Sequence, residues 1–261
     1  MWELCTTTIL IVSIRFVTLP PWSQLLFRNP GIQASVIEAH YAPNLEGPQT
    51  ISDVIALFTT DWVRSLFLAR VGRPRRVWRL LKRVVVSVGI LAKRGQRDRE
   101  LAVKRAIAGK HLHLFETALN SAADFLMVLE DDAVLNERGA QDFAGLIPRT
   151  VKHLGADERW YLNLGGESGE QLLPNLAPFA APDLAGFVRL RPAQVDTVCA
   201  FIVSRSALQE IWRTVLFRPE IRASPPDHLM NYVMERKEIS CLHASPSLFI
   251  HGSTSTLGSW H

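Results

Sequence analysis

Cysteine is scarce in this chain, and its few thiols fit no metal or disulfide pattern. The three cysteines, Cys5, Cys199 and Cys241, are an odd number and show none of the close spacings of a metal-binding motif. A disulfide framework and a thiolate metal centre are therefore not expected. The thiols are interpreted as small residues of the core or the surface.

A long apolar segment is also missing. The longest apolar stretch near the N-terminus covers residues 9–14 and is followed by Arg15, Pro20 and Pro21. It falls far short of the roughly 20 residues that a membrane-spanning helix needs. No basic residue precedes it, whereas a secretory signal carries one before its apolar region. We therefore expect a strand here, not a membrane anchor, and a cytoplasmic protein.

The composition is that of a folded globular protein. Hydrophobic residues make up 48% of the 261 residues and charged residues 21%, a balance that excludes wholesale disorder and predicts a packed core. The length suits a single domain over residues 1–261, with a helical insertion at about 52–98.

Positive charge is concentrated in one part of the chain. The formal net charge is only +4, yet thirteen of the 29 lysines and arginines lie between Arg73 and Lys110, together with only two acidic residues. Residues 73–83 alone combine six cations with Trp78. This segment is either a solvated helix face or a peripheral contact with an anionic membrane, where each cation contributes on the order of 1 kcal/mol. Nucleic acid is not an expected partner, because no recognised nucleic-acid module accompanies the charge.

Short apolar runs alternate with helical periodicity along the sequence. The runs lie at 8–14, 34–39, 125–129, 160–164, 198–203 and 248–250, and helical patterns cover 52–91 and about 99–121. Continuous apolar runs of this length are typical of strands covered on both faces, which belong to parallel sheets. We predict an α/β fold with a mostly parallel central sheet.

Three consecutive carboxylates, Glu130, Asp131 and Asp132, follow the apolar run FLMVL. Like charges at the end of a buried strand repel one another, so a compensating cation or set of donors is expected. A hard divalent cation is often shared between one or two carboxylates and substrate phosphates, and open α/β sheets bind ligands beyond the carboxyl ends of their strands. Because alternation puts Glu130 and Asp132 on one side, Asp132 is the preferred metal ligand, and Glu130 supports the metal or a ribose. The alternative is that the acids only begin a solvated loop.

The sequence around these carboxylates resembles a known enzyme family. Residues 109–119 read GKHLHLFETAL and residues 123–135 read ADFLMVLEDDAVL. The pairing of a His-bearing helix with a Leu-Glu-Asp-Asp-Ala strand end is similar to glycosyltransferase family 25, the lipopolysaccharide-type glycosyltransferases, although Lys110 stands where that family carries Ser. Weaker similarity continues at 160–166, 197–205, 226–228 and 246–248.

This resemblance implies an activity. It implies a GT-A type fold and a hexosyltransferase of lipopolysaccharide biosynthesis that uses a nucleotide-sugar donor, with a UDP-sugar as first choice, and Mn²⁺ or Mg²⁺. The sugar is transferred, with inversion at the anomeric carbon, to a glycan or lipid-linked saccharide. A divalent ion can stabilise the leaving diphosphate as a Lewis acid, and inversion needs a base for the acceptor hydroxyl proton.

The resemblance also suggests catalytic and binding roles for residues near the C-terminal end. Asp227 is either the general base or a helix N-cap, and His228 beside it is interpreted mainly as a helix-surface residue. His251 is either a further metal ligand, as imidazole suits Mn²⁺ better than Mg²⁺, or a solvated loop residue. Ser253 is a weaker candidate for contact with the diphosphate.

Nucleotide contacts are expected from earlier parts of the chain. His111 lies on the apolar face of its helix and is either a core residue or a donor to the nucleotide or the acidic cluster. Glu130 and Asp131 are assigned to the nucleotide as well. Ser13 and Arg15 follow the first strand, which leads to the base and ribose pocket in such folds, although Arg15 also fits a surface ion pair.

Two rival functions accompany the transferase hypothesis. One is another metal enzyme that acts on nucleotides, such as a nucleotidyltransferase. The other is a non-catalytic protein of the membrane surface with a degenerate transferase core, which the basic residues at 73–83 would attach to lipid.

Overall fold

In the part of the chain that the structure describes, three helices pack on one face of a mixed sheet, and the helical residues Phe143 and Leu154 pack on the other face. The structure is a computed structural model, and it describes residues 7–13, 32–38, 94–130, 133–136, 157–166, 180–184, 187–191, 198–218 and 226–251. It also describes the single positions 143, 145, 150, 153–155, 193, 195 and 221. The fold is α/β, as predicted.

Three helices and eleven strands have described bounds, and the described positions 143, 145, 150, 153 and 154 are also helical. The helices are α1 (Arg94–Asn120), α2 (Arg205–Phe217) and α3 (Pro226–Lys237). The strands are β1 (Thr7–Ser13), β2 (Ile32–Glu38), β3 (Phe125–Leu129), β4 (Ala133–Leu135), β5 (Trp160–Asn163), β6 (Gly165–Gly166), β7 (Ala180–Leu184), β8 (Phe187–Leu190), β9 (Ala200–Ser204), β10 (Ser240–Ala244) and β11 (Phe249–His251).

The eight-stranded sheet has the order β2-β1-β3-β9-β5-β10-β8-β7. Three of its described pairings are parallel, namely β1 with β2, β1 with β3, and β5 with β10. The other four are antiparallel. The prediction of a mostly parallel sheet is therefore replaced by a mixed sheet. The physical reason is that β9 runs against β3 and β5, while β7 and β8 add an antiparallel pair beside β10.

Strand β3 lies near the centre of this sheet and is buried along its whole length. Leu126 and Val128 pack with the helices, and Phe125, Met127 and Leu129 pack with the core on the opposite face. Such two-sided burial explains why the sequence reads as an unbroken apolar run. Each of these side chains contributes roughly 1.5–3 kcal/mol through burial.

The end of α1 is tied to the start of α2 by one guanidinium group. Arg205 Nη1 donates to the carbonyl oxygens of Ser121 and Ala123 at 2.9 Å, and its Nη2 donates to that of Leu119 at 2.8 Å. The last carbonyls of a helix lack partners within the helix, and a cation there also interacts favourably with the helix dipole. Arg205 therefore fixes where α1 delivers the chain into β3.

Ser204 connects β9, β5 and α2. Its hydroxyl donates to Glu158 O at 2.6 Å, accepts from the backbone N–H of Trp160 at 3.2 Å, and caps α2 by accepting from the N–H of Ala207 at 3.3 Å. A serine at this position is among the preferred N-caps. The pair Ser204 and Arg205 thus holds one edge of the sheet together.

Several sequence predictions fall outside the described residues. Of the helical insertion expected at about 52–98, only 94–98 are described, and they are the first residues of α1. The basic residues at 73–83 also lie outside. Within the described part of the chain, no helix is both long enough and apolar enough to cross a membrane.

Candidate functional site

Three strand ends meet at one edge of the large sheet. Strand β3 ends at Leu129 and β5 ends at Asn163, while β9 begins beside them because it runs in the opposite direction. The backbone N–H of Glu130 donates to Cys199 O at 2.7 Å, and that of Leu164 donates to Ala200 O at 2.9 Å. The acidic segment therefore begins at an edge held by backbone hydrogen bonds to β9.

A glycine permits this close approach. An added Cβ on Gly165 would lie only 2.4 Å from the Sγ atom of Cys199, so no side chain fits at this position without movement of the thiol. The turn into Gly165 is held by Asn163, whose Oδ1 accepts from the Gly165 N–H at 3.1 Å. The sequence Asn-Leu-Gly after β5 thus serves the geometry of the edge.

A small second sheet, with the order β4-β11-β6, lies next to the acidic segment. In the antiparallel pairing of β4 with β11, the backbone of His251 lies opposite Ala133, the residue that directly follows Asp132 in the chain. Strand β11 also pairs with β6, at Gly165 and Gly166. The fold thus brings the backbone of His251 to the end of the acidic segment, while its side chain lies outside the described part.

Glu130 faces the helices and meets His111 of α1. Alternation along β3 puts Glu130 on the same face as Leu126 and Val128. Its Oε1 atom lies 3.6 Å from His111 Nε2, and the two side chains are 18% and 1% exposed. His111 is therefore buried, while Glu130 reaches solvent at the edge.

The hydrogen bond of Nδ1 determines the tautomer of His111. Nδ1 lies 3.0 Å from Ile107 O, and a carbonyl oxygen can only accept, so the hydrogen is assigned to Nδ1 and Nε2 carries the lone pair. Burial lowers the pKa of His111 from 6.5 to about 4, with the charge of Lys110 adding to this and the Ile107 hydrogen bond opposing it. At neutral pH the imidazole is uncharged, so its contact with Glu130 is not an ion pair although the distance is within ion-pair range.

Tyr161 of β5 packs against Phe201, the ring that His111 also contacts. Burial raises the pKa of its phenol well above 10.0, and Cys241, Cys199, Glu130 and Asp227 add to this in decreasing order. The hydroxyl therefore keeps its proton at neutral pH. Among the described residues, neither Tyr161 Oη nor His111 Nε2 has a hydrogen-bond partner. Both rings lie against Phe201, with centroid distances of 5.0 Å for Tyr161 and 6.3 Å for His111.

Asp227 lies in the first turn of α3, directly after Pro226. Proline at the first helical position and a carboxylate in the first turn both favour this helix start. Asp227 Oδ2 lies 3.5 Å from His228 Nε2, with side-chain exposures of 16% and 6%. His228 is therefore buried, which corrects its interpretation as a helix-surface residue. We refer to His111, Glu130, Tyr161, Asp227 and His228 as the polar cluster.

The structure describes only some of the other predicted site residues. The backbone of Ser13 ends β1 and is paired with Leu129, the residue before Glu130. Arg15, Asp131, Asp132 and Ser253 lie outside the described residues. The structure thus brings His111 and Glu130 together, and the charges of Glu130 and Asp227 both act on the phenol of Tyr161.

Sequence reasoning missed Tyr161, Asn163 and His243. Asn163 and His243 are both buried and are register partners at the ends of β5 and β10. One available signal was that polar side chains interrupt the run WYLNLGG at alternate positions, which points them to a single face of the sheet. His243 lies in SCLHA, a strand that the apolar pattern did not indicate.

The described residues are compatible with a bound divalent cation, but they include only part of the predicted metal site. No three His, Cys, Asp or Glu side chains among the described residues are grouped closely enough to bind a metal ion. Of the three predicted ligands, only Glu130 has a described side chain, and its partly exposed carboxylate offers the oxygen that hard cations prefer. A cation at the edge would therefore be held by Glu130 together with groups outside the described residues.

No protein-family model matches the chain, and a search of curated proteins also gave no match.

Proposed function

We propose that this protein is a metal-dependent glycosyltransferase with a GT-A type organisation, which moves a sugar from a nucleotide-sugar donor to a saccharide acceptor with inversion. A UDP-hexose is the donor of choice, and Mn²⁺ or Mg²⁺ is the cation. The acceptor is a glycan or a lipid-linked saccharide, as in lipopolysaccharide assembly. This proposal rests on the sequence resemblance around Glu130 and on the placement of the residues that carry it.

One observation carries the proposal further than the motif alone. The Glu130 carboxylate sits at the carboxyl end of a buried strand, partly exposed, with its backbone fixed to Cys199 and its side chain beside a neutral, buried imidazole. A carboxylate that merely begins a solvated loop has no reason to face a buried histidine. This arrangement suits a group that must meet a cation or ligand at the sheet edge.

The residues take complementary parts in the proposed reaction. The acceptor oxygen attacks the anomeric carbon, the bond from that carbon to the phosphate oxygen breaks, and its electron pair leaves with the nucleoside diphosphate. Asp227 takes the acceptor hydroxyl proton as general base, and His228, 3.5 Å away, orients its carboxylate. When bound, the divalent cation stabilises the negative charge of the leaving diphosphate as a Lewis acid. Glu130 and Asp132, with His251, are the groups proposed to hold it.

Membrane contact is a second part of this proposal. The basic residues at 73–83 would bring the protein to the inner face of an anionic membrane, where a lipid-linked acceptor is presented. The protein would then be cytoplasmic and peripheral.

The deciding experiment is a donor screen. Purified protein is incubated with a panel of UDP-hexoses and Mn²⁺, and the release of UDP is measured with and without EDTA. We expect metal-dependent release for at least one donor, and a loss of at least about a hundredfold in Glu130→Gln and Asp227→Asn, because each removes a charge that acts in the transition state. Glu116→Gln, on the exposed face of α1, is the matched control and should keep full activity.

The rival functions give different products. Release of pyrophosphate from a nucleoside triphosphate, with no release of UDP from any donor, would favour a nucleotidyltransferase. Binding of UDP-sugars without turnover would favour a degenerate core. Equal activity of Glu130→Gln and the wild type would reject the role given to the acidic cluster.

A further inference from the structure

Two buried polar atoms of the polar cluster stand out by their lack of partners. His111 Nε2 and Tyr161 Oη have no hydrogen-bond partner among the described residues. A buried polar atom left without a partner destabilises the folded state, and such atoms are rare in native structures. Here the two side chains both lie against one ring, that of Phe201, and His111 Nε2 lies 3.6 Å from Glu130 Oε1.

The two atoms have opposite hydrogen-bonding character. Because Nδ1 of His111 donates to Ile107 O, Nε2 is an acceptor, whereas the phenol of Tyr161 offers an O–H donor. A saccharide hydroxyl is both a donor and an acceptor, so hydroxyl groups satisfy both atoms. A phosphate is a poor match at His111, since the Nε2 lone pair and Glu130 Oε1, 3.6 Å away, both carry negative electrostatic potential.

Glu130 lies between His111 and the sheet edge. Its side chain is 18% exposed, while that of His111 is 1% exposed. A ligand that approaches from the edge therefore meets Glu130 first.

We propose that His111 Nε2 and Tyr161 Oη form a subsite for the neutral hydroxyl groups of a saccharide ring, and that the diphosphate does not bind at this subsite. This inference rests on the proposed transferase function and names the part of the donor that the polar cluster recognises. The saccharide ring is either the nucleotide ribose or the transferred hexose, and the experiment distinguishes the two.

Two substitutions remove the proposed contacts with little change of shape. Tyr161→Phe removes one oxygen atom, and His111→Phe removes both ring nitrogens but keeps an aromatic ring against Phe201. Tyr232→Phe and His113→Phe are the matched controls. Tyr232 lies half-buried on α3 under the guanidinium of Arg236, 3.7 Å from the ring centroid, and His113 is exposed on α1.

Binding is measured by calorimetric titration with Mn²⁺ present, using the UDP-hexose that binds the wild type most tightly. We expect each cluster variant to bind it about tenfold more weakly, the effect of one lost hydrogen bond, and both controls to bind it as the wild type does. Titration with UDP and with 2′,3′-dideoxy-UDP then identifies the ring. Unchanged UDP binding in the variants indicates the hexose, whereas weaker UDP binding with unchanged dideoxy-UDP binding indicates the ribose.

A measurement of stability distinguishes the proposed binding role of Tyr161 from a purely structural role. Tyr161→Phe should unfold at the same urea concentration as the wild type or a higher one, because it removes a buried hydroxyl that has no hydrogen-bond partner in the described part of the chain. If both cluster variants bind every probe as tightly as the controls do, the hydroxyl subsite is wrong while the transferase proposal stands.

A different result would reject the function instead. If the wild type binds no UDP-hexose, the transferase proposal fails, and methyl glucoside and methyl riboside are titrated with the ¹⁵N signals of His111 as the readout. A change in the chemical shift of Nε2 that is smaller in Tyr161→Phe than in the wild type would support the hydroxyl subsite. The absence of any shift rejects the subsite as well.

Discussion

Buried polar groups at the two ends of the central strands of the large sheet differ in how well their hydrogen bonds are satisfied. Where β9 ends, Ser204 and Arg205 bind Glu158, Trp160 and Ala207, together with the carbonyl groups at the end of α1. We call this region the paired edge. Toward the opposite edge, where β3 ends, His111 of the polar cluster meets Glu130. His111 Nε2 has no hydrogen-bond partner among the described residues, and neither has Tyr161 Oη, although the backbone of Tyr161 lies beside the paired edge, opposite Val203.

This difference separates polar residues whose hydrogen bonds are made within the chain from polar atoms that have no partner among the described residues. Hydrogen bonds that are satisfied within the chain stabilise the folded state, while a buried polar atom without a partner opposes it. The paired edge is therefore expected to dominate stability and the polar cluster to dominate binding. Three substitutions or conditions test this contrast, in order of decreasing effect.

Arg205→Ala should have the largest effect on stability. It removes the donors that the carbonyls of Leu119, Ser121 and Ala123 share, so we expect the free energy of unfolding to fall by roughly 3 kcal/mol. Urea unfolding followed by circular dichroism measures this. Arg159→Ala is the control, because Arg159 is half exposed and lies 3.8 Å from Glu210, and it should lose at most about 1 kcal/mol. Equal losses in the two variants would mean that the paired edge has no special role.

Acidification should destabilise the protein through His111. Its pKa is about 4 in the folded state, below its ordinary value of 6.5, so the unfolded chain takes up the proton first. Stability is therefore lost as the pH falls from about 6.5 to about 4, by about 2 kcal/mol between pH 7 and pH 5. Urea unfolding at both pH values measures this.

The contribution of His111 is isolated by subtraction. His111→Phe should lose less stability than the wild type between pH 7 and pH 5, because the titrating ring is gone, whereas His113→Phe should behave as the wild type does. An identical pH dependence in the wild type and His111→Phe would show that this imidazole is protonated equally easily in both states.

Ser204→Ala should have a smaller effect than either. The substitution removes the N-cap of α2 and the partners of Glu158 O and the Trp160 N–H, with an expected loss of about 1.5 kcal/mol. Ser206→Ala removes an exposed hydroxyl from the same carbonyl of Glu158 and should lose less than about 0.5 kcal/mol. A thermal melt of both variants decides the order, and the reverse order would contradict the description of the paired edge.

The sequence predicts the buried strands better than their directions. The apolar runs at 125–129 and 160–164 correspond closely to β3 and β5, because strands that are buried along their whole length are mostly apolar, although Asn163 in β5 is a buried polar residue. The direction of β9 leaves no trace in its sequence, since AFIVS is buried on both faces whichever way it runs. Strand β10 was missed because its sequence SCLHA mixes polar and apolar residues.

The candidate site could likewise be predicted only in part from the sequence. The meeting of His111 with the acidic segment follows from a helix face and a strand end, both of which are local patterns. The position of Tyr161 follows from the pairing of β5 with β9 across residues that are distant in sequence. That its hydroxyl has no hydrogen-bond partner among the described residues is a property of the packed core, which no local pattern expresses.

The central claim is that the edge at Glu130 binds a divalent cation together with a nucleoside diphosphate. Electron paramagnetic resonance of Mn²⁺ in the presence of UDP measures this directly, because bound and aqueous Mn²⁺ give different signals. We expect one tightly bound Mn²⁺ per chain in the wild type, with binding lost in both Glu130→Gln and Asp132→Asn and kept in Glu116→Gln. The same binding in all four proteins, or none in the wild type, would contradict it.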